Sequence, residues 1–213
     1  MKITKNDMLL YAVTDSRWTE NTSLDKQVEE AILGGVTFVQ LREKNLDDAP
    51  FIELSRKVKN ITDTYKIPYV INDNINVAIE IDADGVHIGQ SDNSLIETRK
   101  KLGNDKIIGV SVQTVEQALL AEKNGADYLG VGAIFSTNTK LDTKNVNLET
   151  LKEICNAVNI PVVGIGGIDK NNIELLKGVG ISGIAVVSSI FAEKDIKKAS
   201  ENLLKLSKDY LEM

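Results

Sequence analysis

Residues 34–40 read Gly34-Gly35-Val36-Thr37-Phe38-Val39-Gln40, where two glycines end a helix-like stretch and a short apolar run follows. The same joint recurs at residues 84–88, 125–131 and 180–186. Glycine suits the end of a helix because it accepts a left-handed backbone without a Cβ clash. The runs after it lack polar alternation, which is typical of parallel strands buried on both faces. The repeated unit therefore predicts alternating helices and parallel strands.

Four further apolar runs fit this alternation, at residues 9–13, 69–72, 107–110 and 162–165. The count predicts eight strands and eight helices, which permits a closed (β/α)8 barrel or an open doubly wound sheet. Repeating units of fewer than about thirty residues favour the barrel. No glycine-rich phosphate turn follows the first strand, as a dinucleotide-binding sheet would require. We therefore expect one α/β catalytic domain over residues 1–213, a single (β/α)8 TIM barrel.

Composition limits the classes of function. The 213 residues are 42% hydrophobic and 26% charged, which is typical of a globular protein. The net charge of −6 argues against nonspecific binding to nucleic acid or to anionic membranes. The single cysteine, Cys155, excludes an internal disulfide and fits a reducing cytoplasm. Because the sequence also shows neither a membrane-spanning run nor a signal peptide, we expect a soluble, cytoplasmic protein.

Catalytic groups of such barrels lie at the carboxyl ends of the strands. The second strand runs into Gln40-Leu41-Arg42-Glu43-Lys44, and alternation puts Gln40, Arg42 and Lys44 on one face. Two cations and an amide at one point indicate a site for a polyanion. The alternative is an exposed basic turn.

Two aspartates follow neighbouring strands. Asp73 lies in Val70-Ile71-Asn72-Asp73-Asn74 after the third strand, and Asp92 follows the fourth. Carboxylates beside a polyanion site suit Mg²⁺, which binds one or two carboxylates together with substrate phosphates. The alternative is that both aspartates cap helices. Asp82 and Asp84 precede the fourth strand, so we expect them at the opposite end of the barrel.

The later strands predict a second anion site. The seventh strand continues into Gly164-Ile165-Gly166-Gly167-Ile168 and the eighth into Val187-Ser188-Ser189-Ile190. Loops at these positions often bind phosphate through backbone N–H groups, which glycine allows to come close. Ser136-Thr137-Asn138-Thr139-Lys140 after the sixth strand is a further phosphate contact, a lid or a solvated loop. Ser111 after the fifth strand either points inward or caps a helix.

The sequence suggests no covalent nucleophile. Cys155 has apolar helical neighbours, so we expect a core thiol. His87, the only histidine, lies in the middle of the fourth strand. We expect it to be packed or to form part of a pocket wall rather than to act as a general base.

Together these motifs resemble the thiamine-phosphate synthase family. The resemblance extends over almost the whole chain, from residue 11 to residue 190. It is carried by Gln-Leu-Arg-Glu-Lys at residues 40–44, Asn-Asp at 72–73, Gly-Val-His-Ile-Gly-Gln-x-Asp at 85–92 and Thr-x-Thr-Lys at 137–140, in that order. The family condenses 4-amino-2-methyl-5-hydroxymethylpyrimidine diphosphate with 4-methyl-5-(2-phosphoethyl)thiazole, which gives thiamine phosphate and pyrophosphate.

The resemblance implies a role for each motif residue. The pyrimidine diphosphate would be held by Gln40, Arg42, Lys44, Asn72, Ser111 and Lys140, of which Arg42, Lys44, Ser111 and Lys140 form the catalytic set. Asp73 and Asp92 would hold Mg²⁺. The thiazole phosphate would be held by Thr137, Thr139, Gly167, Val187 and Ser188. The implied mechanism is dissociative, with diphosphate leaving before the thiazole nitrogen attacks.

Two other functions remain open at this point. A thiazole tautomerase of the same shape would need the late glycine turns but not the diphosphate and metal residues. A thiamine-phosphate binding or regulatory protein could lose Lys44, Asp73 or Lys140, yet all three are present. We expect small-molecule substrates and neither nucleic acid nor membrane as partners. The sequence leaves open whether the chain forms a homo-oligomer.

Overall fold

Eight parallel strands form the closed barrel that the sequence predicts. The structure, a computed structural model, describes residues 3–19, 22–44, 46–90, 94–136 and 145–211. The strands are β1 (Leu10–Val13), β2 (Phe38–Leu41), β3 (Tyr69–Asn72), β4 (Gly85–Ile88), β5 (Ile107–Val112), β6 (Tyr128–Gly132), β7 (Val162–Ile165) and β8 (Gly183–Val186). Each pairs with the next along the chain, and β8 pairs with β1. The open-sheet alternative is therefore wrong.

Helices surround the barrel and bury one face against it. They are α1 (Leu24–Leu33), α2 (Asp48–Tyr65), α3 (Ile75–Glu80), α4 (Leu95–Leu102), α5 (Val115–Lys123), α6 (Leu148–Ala157), α7 (Ser188–Phe191) and α8 (Ile196–Leu211). Strict alternation fails between β7 and β8, where a 3-10 helix, Ile173–Leu176, takes the place of an α-helix. The Asp169 and Asn172 side chains accept backbone hydrogen bonds in the turn before it, so the helix begins late.

Aromatic rings fill the barrel interior. Tyr11, Phe38 and Tyr128 pack edge to face, with ring centroids 4.6 to 5.9 Å apart, and all three are buried. Met8, from a 3-10 helix before β1, is buried against the same cluster. These side chains close the barrel below its mouth, so the mouth is a pocket and not a channel.

The amino end of the barrel carries stabilising contacts. The Asp84 carboxylate accepts the backbone N–H of Tyr69 at 2.9 Å, at the first residue of β3. Asp82 pairs with Lys106 at 2.5 Å and is exposed. Both aspartates thus lie away from the carboxyl ends of the strands, as expected. No helix among the described residues is long and apolar enough to span a membrane.

Candidate active site

A cavity of about 450 Å³ opens at the carboxyl ends of the strands. Nine of the residues that the sequence singles out line it: Gln40, Arg42, Lys44, Asn72, Asp73, Ser111, Gly167, Val187 and Ser188. The remaining four, Asp92, Thr137, Thr139 and Lys140, lie outside the described residues. The fold therefore brings the described residues of both predicted anion sites into one cavity.

The end of β2 presents its polar residues on alternate sides. Gln40, Arg42 and Lys44 line the cavity. Glu43 lies on the other side, where its Oε2 accepts a hydrogen bond from the Ser16 hydroxyl at 3.2 Å. Thr14 fixes this strand end, because its N–H donates to the Gln40 carbonyl and its hydroxyl accepts the Arg42 N–H, each at 3.0 Å. The arrangement places two cations at the mouth.

Asp73 has an unusual backbone conformation. Its φ is +61°, in the left-handed region, and its N–H donates to the His87 carbonyl at 2.9 Å. Aspartate tolerates this conformation better than most residues because its short side chain bonds locally. The Asn72 side-chain amide donates to the Asp73 carboxylate at 2.5 Å. Asp73 therefore does not cap α3; Asn74 does, through the N–H of Val77.

The cavity partly fits a magnesium ion. One acidic residue, Asp73, lines the cavity together with Arg42 and Lys44. Among the described residues, no group of three or more His, Cys, Asp or Glu side chains could hold a metal ion. A single carboxylate suits Mg²⁺ where the substrate phosphates supply further oxygen ligands. The donor set is thus compatible with a metal that binds together with a diphosphate.

The glycine turn after β7 faces the opposite side of the cavity. Gly166 and Gly167 have φ values of 99° and 65°. A Cβ at Gly167 would lie 2.6 Å from the Ser136 carbonyl oxygen, so a side chain has no room there. The Gly167 carbonyl accepts a hydrogen bond from the Asn172 amide at 2.7 Å. The Ser189 hydroxyl donates to the Ile168 carbonyl at 2.6 Å, which ties this turn to the beginning of α7.

A series of side-chain hydrogen bonds runs below the cavity. The Gln40 amide donates to the Tyr11 hydroxyl, which lies 2.8 Å from the Tyr128 hydroxyl. Nδ1 of His87 is 2.9 Å from the Tyr128 hydroxyl, and Nε2 is 2.9 Å from the Ser111 hydroxyl oxygen. Burial raises the pKa of both tyrosines well above the ordinary value, so both phenols keep their protons.

The sequence-based prediction assigned no role to several cavity residues. Tyr11, Gln90 and Gln113 line the cavity. The Gln90 amide donates to the Ser111 carbonyl at 2.7 Å, and the Gln113 amide donates to the Gly132 carbonyl at 3.1 Å. The signal that could have found Gln113 is its spacing, since it lies two residues after Ser111. His87 does form part of the pocket wall, one of the roles expected for it.

The described geometry agrees with comparisons to known proteins. The sequence profile of the thiamine monophosphate synthase family matches residues 10–190. A thiamine-phosphate synthase of Clostridium tetani is 54% identical over 197 residues, which cover 92% of this chain and 94% of that protein. One from Clostridium acetobutylicum is 56% identical over 191 residues, or 90% of each chain.

A solved structure extends the agreement to the fold. A thiamine phosphate pyrophosphorylase from Pyrococcus furiosus superposes with a TM-score of 0.90 at 38% identity. The superposition covers 97% of this chain and 98% of that one. The sequence profile, the curated relatives and the solved structure lead to one conclusion: the chain belongs to the thiamine monophosphate synthase family.

Proposed function

We propose that the cavity binds a pyrimidine diphosphate and a thiazole phosphate together and joins them into thiamine phosphate, with release of pyrophosphate. Family membership makes the chain a transferase that forms thiamine phosphate. The proposal about the site is supported mainly by one observation: cations, a carboxylate and a glycine turn meet in one cavity. A thiazole tautomerase would not need the cations or the carboxylate.

The first subsite takes the pyrimidine diphosphate. Gln40 and Asn72 orient the pyrimidine, while Arg42 and Lys44 bind the diphosphate oxygens. The Ser111 hydroxyl donates a further hydrogen bond, and Lys140 joins from the loop after β6. Cations stabilise a leaving diphosphate most where charge develops as its bond breaks, so these groups lower the barrier and do not merely bind the ground state.

Asp73 and Asp92 are the residues we assign to Mg²⁺. When bound, the ion would neutralise charge on the diphosphate oxygens. Asp73 lines the same cavity as Arg42 and Lys44. Arg42 and Lys44 would offset the negative charge of the diphosphate, and the Asp73 carboxylate would bind the metal.

The second subsite takes the thiazole phosphate. Gly167 and the Val187-Ser188 turn offer backbone N–H groups at the cavity wall, and Thr137 and Thr139 add hydroxyls. Gly167 has a left-handed backbone and no room for a side chain beside the Ser136 carbonyl, so glycine lets the turn lie at the cavity wall. The bound phosphate would anchor the thiazole in the same cavity as the pyrimidine diphosphate.

The reaction we propose is a dissociative substitution. The bond between the pyrimidine methylene carbon and the diphosphate oxygen breaks, and the electron pair leaves with the oxygen. The thiazole nitrogen then donates its lone pair to the methylene carbon. Holding both partners in one cavity supplies the orientation that the second step needs. The protein needs no nucleophile of its own, in agreement with the sequence.

The decisive assay mixes the purified chain with both substrates and Mg²⁺ and measures pyrophosphate. We expect release that requires the thiazole phosphate and that falls when Mg²⁺ is chelated. A tautomerase would act on the thiazole alone and release no pyrophosphate. A regulatory protein would bind thiamine phosphate without turnover. Either result would overturn the proposal.

The wider setting follows from the same assignment. We propose one catalytic domain over residues 1–213 that acts in the cytoplasm, where the single thiol of Cys155 stays reduced. The partners are the two small-molecule substrates, with no nucleic acid and no membrane. A homo-oligomer would leave this scheme unchanged, because every residue assigned to the site belongs to one chain.

A further inference from the structure

The orientation of the Gln40 amide sets the direction of the hydrogen bonds beneath the cavity. The Gln40 amide nitrogen can only donate, so the Tyr11 oxygen accepts there. Tyr11 must then place its own proton elsewhere. Within the described part of the chain, the acceptor in reach of that proton is the Tyr128 oxygen, 2.8 Å away.

The direction continues through His87. Tyr128 accepts from Tyr11, so its own proton goes to Nδ1 of His87 at 2.9 Å. Nδ1 is then the unprotonated ring nitrogen. The ring hydrogen lies on Nε2, which donates to the Ser111 oxygen at 2.9 Å. With the Gln40 amide nitrogen facing Tyr11, the opposite direction would leave the Tyr11 proton buried with no acceptor among the described residues. A buried donor without a partner carries its full desolvation cost.

We propose that Tyr11 and Tyr128 hold His87 as the Nε2–H tautomer, and that His87 thereby turns the Ser111 hydroxyl hydrogen toward the cavity. The inference rests on the proposed function, in which Ser111 contacts the diphosphate. The oxygens of a diphosphate accept hydrogen bonds. If the Ser111 hydroxyl donated its hydrogen to His87, only its lone pairs would face the diphosphate, and no hydrogen bond could form. Tyr128 is fully buried and acts as a positioning residue.

Two glycines make room for this arrangement. A Cβ at Gly109 would lie 2.1 Å from Cζ of Tyr128, and a Cβ at Gly130 would lie 3.1 Å from Cε1 of His87. Both glycines are on strands, and neither has a left-handed backbone that would by itself require glycine. The interior is thus shaped around the two rings that connect Tyr11 to Ser111.

The tautomer can be observed directly because His87 is the only histidine in the chain. Long-range ¹H–¹⁵N NMR of the uniformly labelled protein, at about pH 8.5 where an ordinary imidazole is neutral, gives one pair of ring nitrogen signals. We expect a protonated Nε2 and an unprotonated Nδ1. An unprotonated Nε2 with a protonated Nδ1 would overturn the inference, whatever the enzyme's activity.

The kinetic test compares two buried tyrosines. Tyr128→Phe removes one hydroxyl from the hydrogen-bond series. Tyr69→Phe removes an equally buried hydroxyl that lies outside the series and donates to the Ser55 carbonyl. We expect Tyr128→Phe to lower kcat/KM for the pyrimidine diphosphate about tenfold, roughly the value of one hydrogen bond to an anion. The KM for the thiazole phosphate should stay within about twofold, and Tyr69→Phe should change neither.

A double-mutant cycle separates positioning from general damage to the fold. If Tyr128 acts through Ser111, the Tyr128→Phe change should have little further effect in a Ser111→Ala background. Equal losses in both backgrounds would mean that Tyr128 only packs, and the inference would fail. Failure of the proposed function looks different: wild-type protein would release no pyrophosphate while the NMR result still held.

Discussion

Gly109 and Tyr128 face each other across neighbouring strands, and the phenol ring of Tyr128 occupies the space where a side chain at position 109 would be. The two residues are direct partners in the pairing of β5 with β6. A Cβ at Gly109 would lie only 2.1 Å from Cζ of Tyr128.

This contact predicts a stability effect for Gly109→Ala. Overpacking a core typically costs about 2 kcal/mol, which for a chain of this size lowers Tm by roughly 4–8 °C. Gly164→Ala is the control, because its Cβ would meet Ile168 Cδ1 at an ordinary 3.4 Å. Thermal unfolding followed by circular dichroism measures both. Equal Tm values for the two variants would contradict the prediction.

Asp73→Asn tests the assignment of Asp73 to the metal. We expect kcat/KM to fall on the order of 10²-fold, the value of one electrostatic contact in a dry site. Part of the loss should return at raised Mg²⁺, because a weaker site can still be filled by mass action. Asp92→Asn should behave in the same way. Steady-state pyrophosphate release over a series of Mg²⁺ concentrations is the measurement.

The chain supplies a matched control for that change. Asp82 also has a left-handed backbone, with a φ of 54° against 61° for Asp73, and asparagine tolerates that conformation at both positions. Asp82 pairs with Lys106 at the far end of the barrel. Asp82→Asn should therefore leave both the rate and its Mg²⁺ dependence unchanged. Near-native activity of Asp73→Asn at low Mg²⁺ would remove Asp73 from the metal site.

Gly167→Ala should weaken use of the thiazole phosphate more than use of the pyrimidine diphosphate. The new Cβ would lie 2.6 Å from the Ser136 carbonyl oxygen, so the turn must shift where we place the thiazole phosphate. Gly178→Ala is the control. Gly178 also has a left-handed backbone, with a φ of 75°, but no heavy atom lies within 4 Å of the added Cβ. Separate KM values for the two substrates decide the matter; equal losses for both would mean that the turn serves packing alone.

Glu43→Gln should change the pH dependence of stability. Burial raises the pKa of the Glu43 carboxyl. The hydrogen bond from Ser16 lowers this pKa in part, and the negative charge of Asp15 raises it further. The native state therefore favours the protonated form, and stability is lost as pH rises through the native pKa. The variant should have a higher Tm than wild type near neutral pH and no advantage below the unfolded pKa of about 4.3.

Glu53→Gln gives the opposite sign for comparison. The hydrogen bond and charge of Lys57 lower the pKa of Glu53, so its ionised form favours the native state. Removing that charge should lower Tm slightly near neutral pH and not in acid. Matching pH profiles of Tm for the two variants would mean that the surroundings of Glu43 do not disfavour its charge.

The strands could be predicted because their sequence signals are local. The glycine that precedes β2, β6 and β8 and the unbroken apolar runs fix where each strand lies, and a period of two fixes which side chains of β2 share a face. That is why Gln40, Arg42 and Lys44 were expected together and do line one cavity. The short 3-10 helix between β7 and β8 was harder to predict, because the side chains of Asp169 and Asn172 compete with the backbone for hydrogen bonds.

The hydrogen-bond series could not be predicted from the same signals. Tyr11 and Tyr128 are 117 residues apart, and both look like ordinary core aromatics in apolar runs. Their contact depends on the closed barrel, on the phase of two strands and on the space that Gly109 leaves. The role of His87 stayed open for the same reason, since one sequence does not say which face of β4 points inward.

The pairing of β1 with β8 has a consequence for biosynthesis. Tyr11 leaves the ribosome long before Ala185, yet the two residues are direct partners in neighbouring strands. Tyr11 can therefore take its place in the interior only after the last strand has emerged. A chain that has not yet made β8 therefore lacks both the closed barrel and the Val187-Ser188 turn that we place in the thiazole phosphate subsite.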